Sequence, residues 1–308
     1  MFRGSYVCCP RDGASLVPAT GDPLVGTTFA TRYIIEELLG EGAMGRVYRA
    51  RHARMSRKFA IKVLFGDCSI DAKMCARFAR EAEASSRLSH VNVIGVVDFG
   101  ETAEGLLFLV MDLADGPDLA TILAGEGPLS ATRVLDLMLQ VSEGLAHAHG
   151  RGLVHRDLKP ANVIVERDEQ GGELARIGDF GIAVVAEDHQ ATRLTTAGLV
   201  LGTPHYMAPE QATADAIDER TDLFALGIVL YEMLAGVLPF DGTGIEIARK
   251  NLSCDPPPIA ERVPGLQVDP ELEALAFHLM QKAPSARPQP AREVVDRLVL
   301  SEGLPIVR

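Results

Sequence analysis

Apolar and polar residues alternate in short runs through the first third of the chain, whereas the remainder has longer runs with helical spacing. Residues 29 to 65 form alternating stretches broken by glycine, which is typical of antiparallel strands. Two further strands are predicted at residues 93 to 99 and 106 to 112, and a helix is predicted from about residue 71 to 88. The first part of the chain is therefore predicted to be a sheet with one main helix.

Beyond residue 115, the apolar positions recur at helical spacing. Ser130 is predicted to begin a helix whose apolar face is formed by Val134, Met138, Val141 and Leu145. The longest apolar run, residues 223 to 240, contains Glu232, so we interpret it as a buried core helix and not as a membrane span. A final helix is predicted at residues 291 to 300. This part of the chain is therefore predicted to be mainly helical.

The composition limits the classes of function. At 308 residues, the chain is long enough for two parts with their own cores. The net charge of -12 and the pI near 5.2 do not favour binding to nucleic acid or to an anionic membrane surface. Five scattered cysteines argue against a disulfide framework and for a reducing compartment. With no apolar run of the signal-peptide kind at the N-terminus, we expect a cytoplasmic protein.

Residues 154 to 181 carry the clearest chemistry in the chain. The pattern H-R-D-L-x-x-x-N places Asp157 five residues before Asn162, and D-F-G begins at Asp179. Asp157 is suited to orient an attacking hydroxyl and accept its proton, while Asn162 and Asp179 offer the oxygen ligands that Mg²⁺ prefers. Taken alone, either aspartate is also typical of a helix cap or a turn. Both motifs in this order predict a site for a phosphate group and its metal ion.

A glycine-rich stretch lies between the first two predicted strands, at residues 39 to 48. Its G-x-G-x-x-G pattern lets backbone amides approach phosphate oxygens, although the same pattern also opens dinucleotide-binding helices. Lys62 follows Val47 by fifteen residues, at the end of an alternating run. No G-x-x-x-x-G-K-[ST] occurs, which excludes the P-loop architecture.

Together these motifs resemble the protein kinase superfamily, and Lys159-Pro160 is typical of its serine/threonine branch. The chain is most similar to the bacterial Hanks-type (eukaryotic-like) kinases, on the strength of residues 42 to 48 and 80 to 82. The resemblance covers residues 33 to 300 and implies an α+β, bilobal fold with a small β-rich lobe and a larger helical lobe. The implied divisions are an N-terminal extension at residues 1 to 28, the small lobe with the hinge at 29 to 114, and the large lobe at 115 to 303.

The resemblance implies roles for individual residues in the transfer of the ATP gamma-phosphoryl group to a protein hydroxyl. Lys62 would hold the alpha and beta phosphates. Asp157 would align the hydroxyl and Lys159 would steady the moving phosphoryl group. Asn162 and Asp179 would hold Mg²⁺, with Mn²⁺ as a substitute.

The resemblance also implies a nucleotide pocket and a partner for Lys62. Glu81 on the predicted helix would pair with Lys62, and Glu83 is the alternative. Backbone groups of residues 112 to 114 would hydrogen-bond the adenine edge. The residues expected around the nucleotide are Leu39, Gly40, Gly42, Gly45, Val47, Ala60, Met111, Asp112, Ala114 and Ile164.

Several further residues are expected to hold the site in place. The ring of His155 would pack with Phe180 in an internal stack, and Ser85 stands where the family usually places an apolar member of that stack. This departure predicts that the helix bearing Glu81 is loosely held. The remaining scaffold contacts expected are Asp222 with the catalytic-loop backbone and a buried ion pair between Glu210 and Arg287.

The segment from Asp179 to Glu210 is expected to regulate the enzyme. Thr195 or Thr196, and less so Thr192, is predicted to be phosphorylated by another copy of the enzyme in a transient homodimer, with Arg156 placed to receive the phosphate. Thr203 would instead brace the catalytic loop. The alternative is a flexible polar loop without modification. The expected substrates are proteins with serine or threonine.

Two other classes of function stay open at this point. A small-molecule phosphotransferase of the aminoglycoside type would share the catalytic-loop Asp and Asn but not the Ala208-Pro209-Glu210 sequence. A catalytically dead scaffold would ordinarily lack Lys62, Asp157 or Asp179. The pair Cys8-Cys9 looks like half of a zinc-ribbon knuckle; since structural zinc needs four ligands, two free thiols are preferred over a site shared between chains.

Overall fold

The structure is a computed structural model that describes residues 22–42, 45–65, 72–168, 170–180, 204–213 and 215–301. Six strands of the first part pair in an antiparallel sheet in the order β1-β2-β3-β4-β6-β5. The elements are β1 (Thr28–Phe29), β2 (Tyr33–Gly42), β3 (Gly45–His52), β4 (Lys58–Leu64), α1 (Ala72–Ser86), β5 (Val96–Glu101) and β6 (Leu107–Asp112). This part is the small lobe that the sequence predicts.

The alternation of side chains gives the sheet two apolar faces. One face, the outer cluster, includes Ile35, Tyr48 and Phe59. The other, the inner cluster, includes Ala60 and Met111 and packs against α1. Because strand neighbours point to opposite faces, a single strand such as β4 contributes to both clusters.

The predicted strand at residues 93 to 99 begins three residues later than expected, at Val96. Val93 instead forms a parallel bridge with Ile177 of the second part of the chain. The Ile94 amide donates to the Ile177 carbonyl at 2.8 Å, and the Ile177 amide donates to the Asn92 carbonyl at 2.9 Å. The first residues of the predicted strand thus form backbone hydrogen bonds, but they join the two lobes and do not extend β5.

The second part is helical apart from one hairpin. Its helices are α2 (Leu119–Glu126), α3 (Ala131–His149), α4 (Pro209–Thr213), α5 (Glu219–Ala235), α6 (Gly244–Ser253), α7 (Ile259–Arg262), α8 (Pro270–Leu279) and α9 (Ala291–Ser301). The hairpin pairs β7 (Val163–Arg167) with β8 (Glu173–Ile177). Short 3-10 turns lie at Pro160–Asn162, Pro204–Tyr206 and Pro284–Ala286. The predicted α+β bilobal fold is confirmed.

Helices α3 and α5 form the centre of the large lobe. Ser130 caps α3 by accepting from the Arg133 amide, and the four residues of the predicted apolar face are buried. From Thr221 to Tyr231, every residue of α5 is buried, so the interpretation of this run as a core helix is confirmed. Within the described ranges, no helix is long and apolar enough to cross a membrane.

Two findings concern residues outside the motifs. Residues 22 to 28, assigned above to the extension, pack on the small lobe: Leu24 contacts the outer cluster and the Gly26 amide donates to the Ile35 carbonyl at 2.9 Å. Cys75 on α1 is disulfide-bonded, whereas Cys254 is free and exposed. The sequence argues against a disulfide framework, yet Cys75 takes part in a disulfide, because an odd number of cysteines excludes only complete pairing.

Candidate active site

The catalytic loop brings three of the predicted residues together. The Lys159 ammonium group lies 2.6 Å from the Asp157 carboxylate. Asn162 donates from Nδ2 to the Asp157 carbonyl at 2.8 Å and to the Asp157 carboxylate at 3.4 Å. The 3-10 turn at Pro160–Asn162 makes this approach possible over five residues of chain. An acidic group, a cation and an amide therefore face one small volume.

Asp222 on α5 fixes the backbone of this loop, as predicted. Its carboxylate accepts from the His155 amide at 2.7 Å and from the Arg156 amide at 2.8 Å, and it lies 2.7 Å from Nε2 of His149. Arg156 has a φ of 68°, in the region that side chains other than glycine avoid. The buried carboxylate thus helps to hold the residue before Asp157 in a strained conformation.

Asp179 meets Lys62 across the two lobes. The Lys62 ammonium group, on β4, lies 2.7 Å from the Asp179 carboxylate. Burial alone would raise the pKa of Asp179, but the charge and hydrogen bond of Lys62 hold it below its usual value, so the carboxylate is ionised. The amide of the preceding Gly178 donates to the Asn162 carbonyl at 2.9 Å, which sets Asn162 next to this carboxylate.

The donor set of Asn162 and Asp179 fits a hard divalent cation. Asn162 uses its Nδ2 on Asp157, and within the described ranges no hydrogen bond occupies its Oδ1. Lys62 engages only one of the two carboxylate oxygens of Asp179. An amide oxygen and an ionised carboxylate are ligands that Mg²⁺ accepts while it retains waters and phosphate oxygens.

Phe180 and Ser85 connect the small lobe to this site. The Phe180 ring packs on the His155 ring with centroids 4.7 Å apart, as predicted. The buried Ser85 hydroxyl on α1 donates to the Phe180 carbonyl at 3.0 Å. The position that departs from the family pattern therefore makes a polar contact with the segment that carries Asp179.

Glu81 lies half-buried on α1. Within the described ranges, the ion pair of Lys62 is with Asp179, and none joins Lys62 to Glu81. Glu83 pairs with Arg87 at 2.7 Å on the exposed surface of the helix. Glu83 is thus occupied elsewhere, and the pairing of Glu81 with Lys62 stays a prediction.

The glycine-rich stretch is the tip of the hairpin between β2 and β3. Gly42 pairs with Gly45, and residues 43 and 44 lie outside the described ranges. A Cβ on Gly45 would lie 2.2 Å from the Val63 carbonyl oxygen, whereas Gly40 and Gly42 have open space around them. Gly45 is therefore required for packing of the hairpin on β4, and the other two leave room above the cleft.

The predicted hinge follows β6. Met111 is buried, and Val47 and Ala60 adjoin it in the inner cluster. The Asp112 amide donates to the Gly95 carbonyl at 2.9 Å, and the predicted contact of residues 112 to 114 with an adenine edge stays a prediction. Of the other predicted pocket residues, Ile164 lies on β7, Leu39 is an exposed residue of β2, and Ala114 follows β6.

The predicted phosphosites Thr192, Thr195 and Thr196, together with Thr203, lie outside the described ranges.

The predicted ion pair between Glu210 and Arg287 is confirmed, with two contacts of 2.7 and 2.8 Å. Burial alone would raise the pKa of Glu210, but the Arg287 guanidinium lowers it below its usual value.

Sequence reasoning missed Gln211, the residue after this glutamate. Its Nε2 donates to the Arg156 carbonyl at 2.8 Å, and its Oε1 accepts from the Ala208 amide at 3.0 Å. One side chain thus ties the end of the segment from Asp179 to Glu210 to the residue before Asp157. Nothing in the local pattern signals this contact, because it depends on the way α4 docks.

A family profile and individual relatives both show similarity between this chain and protein kinases. The family profile described as "Protein kinase domain" matches residues 33–299. The serine/threonine-protein kinase pkn3 of Myxococcus xanthus is 42% identical over 272 residues, which is 88% of this chain and 50% of that protein. PknB of Mycobacterium tuberculosis is 36% identical over 272 residues, 87% of this chain and 42% of that protein.

The fold comparison agrees. The crystal structure of the Mycobacterium tuberculosis PknI kinase domain is 30% identical, with a TM-score of 0.68, and the match covers 89% of this chain and 97% of that domain. The chain spans half or less of the length of the curated relatives named above.

Proposed function

The chain belongs to the protein kinase family, and on that premise we propose that it transfers the gamma-phosphoryl group of ATP to serine or threonine hydroxyls of proteins. The observation that carries the proposal is the convergence of Lys62, Asp157, Asn162 and Asp179 around one cleft. They come from three separate places along the chain: strand β4, the catalytic loop that holds both Asp157 and Asn162, and the D-F-G motif. A dead scaffold has no need for all of them to be present and assembled.

The proposed mechanism relies on positioning and electrostatics. The Asp157 carboxylate orients the attacking hydroxyl and receives its proton, and Lys159, 2.6 Å away, lies where charge develops on the transferred group. Asn162 and Asp179 would hold Mg²⁺, which would neutralise phosphate charge when bound. Lys62 turns from Asp179 towards the alpha and beta phosphates, and Glu81 becomes its carboxylate partner.

We include regulation of the predicted kind in this proposal. Nε of Arg156 is buried and has no hydrogen-bond partner within the described ranges, so a phosphate on Thr195 or Thr196, or less so on Thr192, would give this guanidinium an acceptor. Phosphorylation of one copy by another requires a transient homodimer. Protein substrates and a cytoplasmic location follow from the same proposal.

One experiment separates the candidate functions. Purified protein is incubated with gamma-labelled ATP, Mg²⁺ and a generic basic protein, and in parallel with a small aminoalcohol. We expect label on protein serine or threonine, and at least a hundredfold less when Asp157→Asn is used, since general-base loss costs about 10²- to 10⁴-fold. Label on the aminoalcohol would instead support a small-molecule phosphotransferase, and no label on either would support a scaffold.

The same sample tests regulation. Mass spectrometry of the active enzyme should find phosphate on Thr195 or Thr196. Active enzyme with none of the three threonines modified would contradict this part of the proposal and favour the unmodified polar loop.

A further inference from the structure

Asp22 lies eleven residues before the start of the region matched by the kinase family, yet it contacts the strand that returns from the glycine-rich tip. Its carboxylate accepts from the Tyr48 hydroxyl at 3.0 Å and lies 3.2 Å from a guanidinium nitrogen of Arg46. The other carboxylate oxygen accepts from the Leu24 amide at 2.9 Å. The Asp22 side chain is only 8% exposed, whereas the Arg46 side chain is 34% exposed, so the carboxylate is the shielded partner of the ion pair.

The two partners of Asp22 lie on one face of β3. Side chains alternate along a strand, so Arg46 and Tyr48 share a face, and Gly45 and Val47 share the other. Tyr48 belongs to the outer cluster, whereas Val47 packs with the inner cluster beside Ala60. Asp22 therefore contacts one face of β3. The other face of the same strand carries Gly45 and Val47, which are expected to cover the nucleotide.

Strand β2, the other strand of the hairpin, pairs irregularly with β3, so this pairing fixes the position of the glycine-rich tip less well. The pairing of β2 with β3 shifts register twice, between Ile35 and Glu37 and between Leu38 and Gly40. Arg46 crosses back to Glu41 near the tip, with a 2.7 Å ion pair. The link Asp22–Arg46–Glu41 thus passes through β3 to the glycine-rich end of β2.

The segment that carries Asp22 is itself fixed to the sheet. Strand β1 pairs with β2 through Thr28 and Phe29, and the Phe29 ring packs edge-on to Phe108 at 5.2 Å between centroids. Leu24 adds an apolar contact with the outer cluster. Residues 22 to 29 can therefore transmit a restraint from the body of the small lobe to the hairpin.

We propose that Asp22 is a positioning residue for nucleotide binding, which holds the glycine-rich hairpin at its height above the cleft through Arg46 and Tyr48. The inference rests on the proposed function, in which the cleft binds ATP. Residues 22 to 29 then belong to the nucleotide-binding unit and not to an appended arm.

The chain contains a matched control. Asp98 on β5 accepts from the Tyr33 hydroxyl at 2.9 Å, lies 3.0 Å from Arg32 and accepts from a nearby amide, so it repeats the chemistry of Asp22. Tyr33 begins β2, at the end of the strand away from the glycine-rich tip. Asp98→Ala should disturb the small lobe to a similar extent without reaching the hairpin.

The test measures the dissociation constant of Mg-ATP by equilibrium titration of the full chain, which does not require phosphoryl transfer. We expect Asp22→Ala to weaken binding about three- to tenfold, less than a full charge-assisted hydrogen bond because Asp22 acts on the nucleotide only through the hairpin, and Asp98→Ala to leave it within twofold. Tyr48→Phe, which removes one oxygen, should weaken binding in the same direction. The double variant Asp22→Ala/Tyr48→Phe should show less than the sum of the two effects.

The outcomes are distinct. Equal losses for Asp22→Ala and Asp98→Ala would mean general loosening of the lobe and would overturn the inference, as would unchanged affinity in both Asp22→Ala and Tyr48→Phe. If Asp22→Ala does not fold, the result for Tyr48→Phe decides. Wild-type protein that binds no nucleotide would overturn the proposed function as well, whereas normal wild-type binding with an inert Asp22 would overturn only this inference.

Discussion

The Ser85 hydroxyl on α1 donates to the carbonyl of Phe180, one residue after Asp179, the proposed metal ligand. The bond is buried, and it joins the small lobe to the segment that the large lobe holds through His155. Ser85 stands at a position that is usually apolar in the family. Its contact with Phe180 is therefore directional, because a hydrogen bond has a preferred geometry and an apolar contact does not.

Ser85→Ala should destabilise the protein and lower kcat. The substitution leaves a buried carbonyl unsatisfied, which costs about 1 to 3 kcal/mol, and it releases α1 from Phe180. The measurements are urea unfolding and steady-state kinetics. Ser86→Ala is the control, because the Ser86 hydroxyl bonds a carbonyl of its own helix on the exposed surface. Ser85→Thr keeps the hydroxyl and should recover part of the loss; identical behaviour of the Ser85→Ala and Ser86→Ala variants would refute this role.

Lys62→Met should abolish most of the activity while the protein stays folded. The buried cation is removed from the cleft, and loss of one preorganised electrostatic group costs about 10²- to 10³-fold in kcat. Lys58→Met is the matched control, since Lys58 is an exposed residue at the start of the same strand. Activity within threefold of wild type in the Lys62→Met variant would show that the cleft does not use this lysine.

Gln211→Met should lower kcat roughly tenfold, with little change in the KM for ATP. One neutral hydrogen bond contributes about 0.5 to 1.5 kcal/mol, and 1.4 kcal/mol corresponds to a factor of ten. The loss falls on kcat because Gln211 holds the carbonyl before Asp157 and does not line the nucleotide cleft. Gln281→Met, which removes an exposed side-chain hydrogen bond elsewhere, should have no effect. A change confined to KM would argue against a positioning role.

Glu210→Gln should unfold at lower denaturant concentration at pH 7, and the difference from wild type should shrink in acid. Removing one charge of a buried pair costs about 3 to 5 kcal/mol. Arg287 lowers the pKa of Glu210 from 4.5, so the stabilisation is present above pH 4.5 and is lost as the pH falls through the lower folded value. Unfolding free energies from pH 7 to pH 3 check this.

The control for this prediction is Glu83→Gln, which breaks an exposed pair with Arg87 and should cost at most about 1 kcal/mol. Parallel pH profiles for wild-type and Glu210→Gln proteins would be incompatible with the linkage.

The catalytic loop could be predicted from sequence because its chemistry is local. Asp157, Lys159 and Asn162 lie within six residues, and a short turn brings them together whatever surrounds it. The same holds for α3, where the cap at Ser130 and the spacing of its apolar face define the helix before it packs. For these elements, near neighbours in the chain supply most of the information.

Contacts between distant segments could not be predicted in this way. Asp22 lies in a stretch without periodicity, and its partner Tyr48 is separated from it by 26 residues. Ser85 could be recognised as a departure from the family pattern, but the direction of its hydroxyl depends on how α1 lies against Phe180. Gln211 has no sequence signal, since a surface amide after a helix start is ordinary.

The junction at Asp222 has a mechanical consequence. One carboxylate on the most deeply buried helix receives donors from both the end of α3 and the catalytic loop, so the loop travels with the large lobe as a single rigid piece. The bridge between Lys62 and Asp179 crosses the gap and is made by a long, flexible side chain. Because the contacts of Asp222 all lie within the large lobe, we expect the shape of the loop around Asp157 to be preserved when the distance between the lobes changes.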